Sequence, residues 1–159
     1  MRLYPKIKIL FRAVKTVKNW FVYFADYLGF VRGRTVVYRL FGGTLFAVRG
    51  GTNDRVLFNQ VWLSRGYSPA GFEIQPGDTV IDIGAHVGFF SVFAARKAKR
   101  GRVYSFEPAP QNFALLQKNV ALNGIKNIVL HQAAVSRSRG EKDFILYQGS
   151  TGAHSFLYS

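Results

Sequence analysis

The chain has no cysteine, so neither disulfides nor thiolate metal sites can hold it together. That composition suits a reducing compartment, and a cytoplasmic location is expected. Histidine is scarce as well. His86, His131 and His154 stand far apart, which leaves a metal site little to build on, and none is expected. Acidic residues number 8 against 22 Lys and Arg, for a net charge of +14. Such an imbalance draws a chain to polyanions, whether anionic lipid or nucleic acid, and says nothing about fold. Long apolar runs are missing too. The longest uncharged run of the amino-terminal segment, residues 19–25, is far short of the ~20 residues a membrane-spanning helix requires. Lysines and an arginine interrupt that segment throughout, which argues against a signal peptide. Neither G-x-x-x-x-G-K-S/T nor G-x-G-x-x-G occurs, which counts against a small GTP- or NAD-using enzyme.

What is present suffices for one domain: 159 residues, 48% of them hydrophobic and 16% aromatic. The chain is organised around Thr79-Val-Ile-Asp-Ile-Gly-Ala-His-Val-Gly-Phe-Phe-Ser-Val-Phe-Ala-Ala95. Val80, Ile81 and Ile83 follow the turn signal Pro76-Gly77-Asp78 and read as a strand buried on both faces. The run breaks at residues 84–88, then resumes with Phe89, Val92, Phe93 and Arg96 at helical spacing. Strand, small-residue turn and helix open a βαβ unit. The turn lets backbone approach a ligand, and the helix amino terminus favours anionic groups.

A second strand, Arg102-Val-Tyr-Ser-Phe106, ends in Glu107-Pro108. Glu107 lies 25 residues after Asp82, close to the ~20-residue offset at which an acid closing the second strand binds ribose hydroxyls. Pro108 lacks an N–H and stops the ladder, which leaves the carboxylate over the cleft. A nucleoside-bearing cofactor is the leading reading. Asp82-x-Gly84-x-x-x-Gly88, with His86 where a dinucleotide fingerprint wants glycine, fits a diphosphate poorly.

These residues resemble the FkbM family of S-adenosylmethionine-dependent methyltransferases. The match runs through Val80-Ile-Asp-Ile-Gly-Ala-His-Val-Gly-Phe-Phe-Ser91, Phe106-Glu-Pro-Ala-Pro110 and Leu116-x-x-Asn119-x-x-x-Asn123. Upstream, Val48-Arg-Gly-Gly-Thr-Asn-Asp54 with Val61 and Tyr67 looks like that family's entry segment, so the resemblance spans residues 35–155. His86 stands where the family usually has Asn. The resemblance implies a Rossmann-like class I methyltransferase with S-adenosyl-L-methionine as cofactor. In it Asp82 orients the turn, while Gly84, Ala85 and Gly88 allow close backbone approach. Glu107, with Pro108 behind it, takes the ribose. His86 lies near the methionine moiety or serves the turn, the second being favoured. Small side chains at Ala133-Ala134-Val135 leave room for the adenine. The implied acceptor is a hydroxyl on a sugar, glycolipid or secondary metabolite. No catalytic base can be named.

Taken in order, residues 6–28 place Ile7, Leu10, Phe11, Val14, Val17, Trp20, Phe21, Phe24, Tyr27 and Leu28 on one helical face, with basic residues on the other. The favoured reading packs that face on the rest of the chain. The alternatives are a basic helix lying on an anionic membrane and, last, a nucleic-acid arm; no specific nucleic acid is expected. Residues 35–41 and 44–48 read as a hairpin closed by Gly42-Gly43. Asp54 is expected to cap a helix over residues 56–63 rather than to bind a ligand. Residues 66–77 form the best boundary, giving segments 1–34 (amphipathic helix), 35–71 (hairpin and helix cap) and 72–159 (Rossmann-like half). Residues 110–122 read as a helix ending at Asn123-Gly124, residues 127–131 as a third strand with His131 as an ordinary strand residue, and residues 143–147 as one more strand. The tail from 149 to 159 has little pattern.

Right-handed crossovers would order the three parallel strands 3-2-1. The second half of a doubly wound sheet is not in these residues, so the expectation is an amino-terminal portion of a longer, apparently truncated enzyme. Its first strand would have an unpaired edge and an apolar flank open to water. The rival function is a non-enzymatic basic module for membrane surfaces or nucleic acid.

Overall fold

The computed structural model describes residues 4–64, 66–67, 71–137, 140, 144–145 and 155–156. Two helices, α1 (Tyr4–Thr16) and α2 (Trp20–Tyr27), precede a hairpin of β1 (Thr35–Arg39) and β2 (Leu45–Arg49). Helix α3 (Asp54–Phe58) runs straight into a π-helical turn, Asn59–Leu63. Then β3 (Thr79–Ile83), α4 (Phe89–Lys97), β4 (Arg102–Phe106), α5 (Pro110–Leu122) and β5 (Ile128–His131) build a Rossmann-like βαβαβ unit. Its strands are parallel in the order β3-β4-β5, the order expected, with Val80 opposite Val103 and Val103 opposite Ile128. A two-residue pair, β6 (Phe144–Ile145) and β7 (Ser155–Phe156), is antiparallel. The strand expected over residues 143–147 is described only at β6. Its partner β7 lies in the tail, where the sequence has little pattern.

The single helix expected over residues 6–28 is two. Val17 keeps its helical bond to Ala13 O at 2.8 Å while bridging Leu40, and the next N–H, that of Lys18, donates to Arg39 O at 2.6 Å. The Asn19 side chain brackets the same strand, donating to Val37 O at 2.8 Å and accepting from the Arg39 N–H at 2.8 Å. Strand-like pairing with β1 satisfies these groups in place of helix bonds and shifts the phase of α2. Of the face expected to point inward, only Leu10, Val17 and Phe24 pack on the core. Ala13, Val17, Tyr23 and Asp26 are buried, whereas Ile7, Phe11, Val14, Trp20, Phe21, Tyr27 and Leu28 are exposed.

The inner face meets the hairpin through a polar knot. Tyr38 donates its hydroxyl to Asp26, which also accepts the Gly51 N–H at 2.7 Å. Tyr23 donates to Asn59 at 2.9 Å. Around the knot, Phe46 packs edge-on against Phe58 and Phe89 with centroids 6.1 and 5.0 Å away, so one apolar cluster runs from Ala13 through the hairpin to Leu115 of α5.

Asn119 on α5 and Asn123, which caps its carboxyl end, lie one turn apart and act as a substitute strand for β2. Asn119 accepts the Ala47 N–H at 2.7 Å and donates to Ala47 O at 3.1 Å; Asn123 accepts the Leu45 N–H at 3.0 Å and donates to Leu45 O at 2.7 Å. Two side-chain amides thus satisfy the backbone groups that β2 turns away from β1. The hairpin itself closes through three residues, 41–43, rather than two, since Leu40 N–H still donates to Thr44 O at 2.8 Å.

Strand β3 was expected to be buried on both faces and is buried on one. Asp82 is buried and Val80 partly so, but Ile81 and Ile83 are each 63% exposed. The reason is topological: β3 is an outer strand, and among the described residues no element covers that face. The open apolar flank expected for a half-sheet is present.

Candidate functional site

Past Ile83 the chain turns through three left-handed residues: Gly84 at φ 76°, His86 at 53° and Gly88 at 88°. The N–H groups of Gly84 and Ala85 both donate to Phe106 O at 2.9 Å, which folds the bend across the carboxyl end of β4. The next residue on β4 is Glu107, only 4% exposed. Its Oε2 accepts the His86 N–H at 2.8 Å, and its Oε1 accepts the Ala109 N–H at 2.9 Å and Asn112 Nδ2 at 3.3 Å. Acid and bend therefore share one end of the sheet.

Between them lies a cavity of about 380 Å³, within the usual range for a small-molecule site. Asp82, Gly84, Ala85, His86, Glu107 and Pro108 line one side, and Ala133, Ala134 and Val135 continue the wall. Leu57, Val61, Tyr67 and Phe90 form an apolar side. Nine of the ten residues singled out from the sequence meet here. Gly88 does not line the cavity: a Cβ there would lie 2.4 Å from Leu116 Cδ1, so that glycine serves the packing of α4 on α5. A Cβ built on Gly84 would meet nothing within 4 Å and would project into open space.

Asp82 is buried beneath the bend and accepts from Ser91 Oγ at 2.6 Å, which in turn accepts from Ser105 Oγ at 2.9 Å. Burial pushes its carboxyl above the ordinary range; the Ser91 bond opposes this and the Glu107 charge adds to it.

Behind His86 stands a pair that sequence reasoning missed. Asp54, expected as a helix cap, is the first residue of α3 and is fully buried. Arg49 grips it with Nε and Nη2 at 2.9 and 2.8 Å and with its own N–H at 3.0 Å. Burial alone would raise the Asp54 carboxyl, but the Arg49 bonds and charge, with His86 beyond them, hold it below the ordinary value. His86 Nε2 lies 3.4 Å from Arg49 Nη2 and 3.7 Å from Asp54 Oδ1, which fixes the ring against the cavity wall. Asn112 was also missed. The signals existed as an Arg and an Asp five residues apart, and as an Asn in the first turn of α5 after Glu107. His131 is a strand residue, as expected, stacked on Phe106 at 4.7 Å. No cluster of His, Asp and Glu among the described residues could hold a metal.

A family model described as the TRM5/TYW2 methyltransferase domain matches residues 52–159. The chain belongs to that family. Among the chain's curated relatives, the 31-O-demethyl-FK506 methyltransferase FkbM of Streptomyces tacrolimicus is 34% identical over 110 residues, 69% of this chain and 42% of that protein. Methyltransferase 1 of Beauveria bassiana is 27% identical over 104 residues, 65% of this chain and 40% of the relative. Among solved structures, M. jannaschii TYW2 in complex with AdoMet is 23% identical and covers 60% of this chain and 42% of that one, with a TM-score of 0.46. The chain spans about two fifths of the length of the two curated relatives. The resemblance drawn from residues 80–91 and 106–110 is borne out, and with it a methyltransferase family whose cofactor is S-adenosylmethionine.

Proposed function

We propose that this chain is the cofactor-holding half of an S-adenosylmethionine-dependent methyltransferase that modifies a hydroxyl on a small metabolite, sugar or glycolipid. The observation that carries the reading is the meeting of the Glu107 carboxylate and the Gly84–Gly88 bend at one cavity. The relative named for a 31-O-demethyl substrate supports an oxygen acceptor.

The residues fit the cofactor. A carboxylate offers about four lone-pair sites, and three protein donors occupy three of them. Oε2 keeps one for a ribose hydroxyl. Asn112, bonded to Oε1 at 3.3 Å, lines the cavity beside that carboxylate. Ala133 and Ala134 offer the flat, small-residue wall an adenine needs, and Gly84 leaves its side open for close backbone approach. Asp82 holds the bend to α4 through Ser91 and does not reach across the cavity for a partner of its own. His86 orders the turn, with Arg49 and Asp54 fixing its ring.

When bound, the cofactor supplies an electrophilic methyl on a sulfonium. In-line transfer then depends on positioning and on exclusion of water, and Leu57, Val61, Tyr67 and Phe90 supply the apolar side that excludes it. The reading is tested by calorimetry on the full chain with S-adenosylhomocysteine, NAD and GTP. Saturable heat with the first and none with the others is expected; no heat with S-adenosylhomocysteine would remove the proposal.

A further inference from the structure

We propose that the outer face of α1, α2 and the segment that follows them is a docking surface for an anionic lipid bilayer. Ile7, Phe11, Phe21, Leu28 and Phe30 are each more than half exposed, Phe30 at 76%. The inward faces of the same helices are already spent on Ala13, Tyr23 and Asp26, so these side chains are not a core waiting to form. On α1, Ile7, Phe11 and Val14 fall on one stripe by their three- and four-residue spacing. Lys15 lies with its Nζ 4.5 Å from the Phe11 ring centroid, an ammonium at the margin of an apolar stripe.

Charge selects the occupant. Residues 1–34 contain eight Lys and Arg and a single acid, Asp26. Asp26 is 3% exposed and committed to Tyr38 and Gly51, so no carboxylate from this segment reaches the surface. Immediately after Phe30, Arg32 and Arg34 border an open groove whose other walls are Gly33, Thr35, Arg49 and residues 50–52, with no acidic side chain among them. A groove of that make-up suits a phosphate-bearing headgroup, and the neighbouring Leu28 and Phe30 suit the acyl boundary beside it. A second copy of the chain is disfavoured, since two faces of the same sign repel. Nucleic acid would satisfy the charge and leave the phenylalanines wet.

Co-sedimentation of the full chain with vesicles tests the inference. Wild type is expected to pellet with phosphatidylglycerol-rich vesicles, to stay in solution with phosphatidylcholine alone, and to be released as salt rises. A triple variant, Phe11→Ser with Phe21→Ser and Leu28→Ser, and a double variant, Arg32→Gln with Arg34→Gln, should each lose about tenfold or more in partitioning. Their unfolding midpoints should stay at the parent's value, because every substituted side chain is exposed. Equal pelleting of parent and triple variant would overturn the proposal. So would a parent that ignores anionic vesicles while binding single-stranded RNA.

Discussion

The backbone N–H of His86 and the carboxylate of Glu107 meet at 2.8 Å although 21 residues separate them. The bond joins the end of β4 to the bend after β3, so the two arms of the candidate cofactor site are one hydrogen-bonded unit. A change in either arm is therefore felt by the other, and predictions must separate loss of shape from loss of contact.

The two glycines of the bend offer that separation. Gly84→Ala adds a methyl pointing into open space at a left-handed position, which costs about 1–2 kcal/mol in stability. Because the methyl projects beside the cavity, affinity for S-adenosylhomocysteine should drop at least about tenfold. Gly88→Ala drives its methyl into Leu116 and should destabilise the fold by about 2–4 kcal/mol. Urea unfolding of both variants, with calorimetry on Gly84→Ala, checks the contrast; the reverse ranking of stabilities would refute it.

Asn119 should prove a structural residue. Asn119→Leu removes the partners of the Ala47 N–H and C=O and leaves them buried, at a cost of about 2–4 kcal/mol. Asn123→Leu frees the Leu45 groups nearer the surface and should cost less. Chemical denaturation of the two variants measures the difference.

The pairing of buried Asp54 with the partly exposed Arg49 gives a pH signature. The Asp54 carboxyl is depressed in the folded protein, so its contribution is present above the unfolded value of 3.8 and lost as pH falls through the lower folded value. Asp82 has the opposite sign: raised in the folded state, its contribution is present below 3.8 and lost as pH rises through the folded value. Asp54→Asn should cost about 3 kcal/mol near neutrality, with the gap to wild type closing from about pH 4 downward. Unfolding free energies across that window test it. A gap of constant size would mean Asp54 is not held ionised.

What the sequence made legible was local. The turn signal before β3, the small residues after it and the acid closing β4 each follow from short-range chemistry, and the strand order follows from the chirality of crossovers. The rest depended on partners distant in sequence. The break at Val17 exists because β1 offers Lys18 and Asn19 better bonds, and residues 6–28 alone give no hint of that. Asp54 looked like a cap because its partner, Arg49, sits on a strand whose direction only the hairpin fixes. Asn119 and Asn123 stood out as spaced amides, but their use as a mock strand requires α5 to lie along β2. The outer flank of β3 reads like any buried strand, since Ile81 and Ile83 carry no sign of what covers them.

The central claim is that Glu107 takes the ribose of the cofactor. It is tested most directly by measuring the affinities of S-adenosylhomocysteine and its 2′,3′-dideoxy counterpart for wild type and for Glu107→Ala. Loss of the hydroxyls should weaken binding to wild type by about tenfold to a hundredfold and to the variant by almost nothing. An equal loss in both proteins would contradict the account.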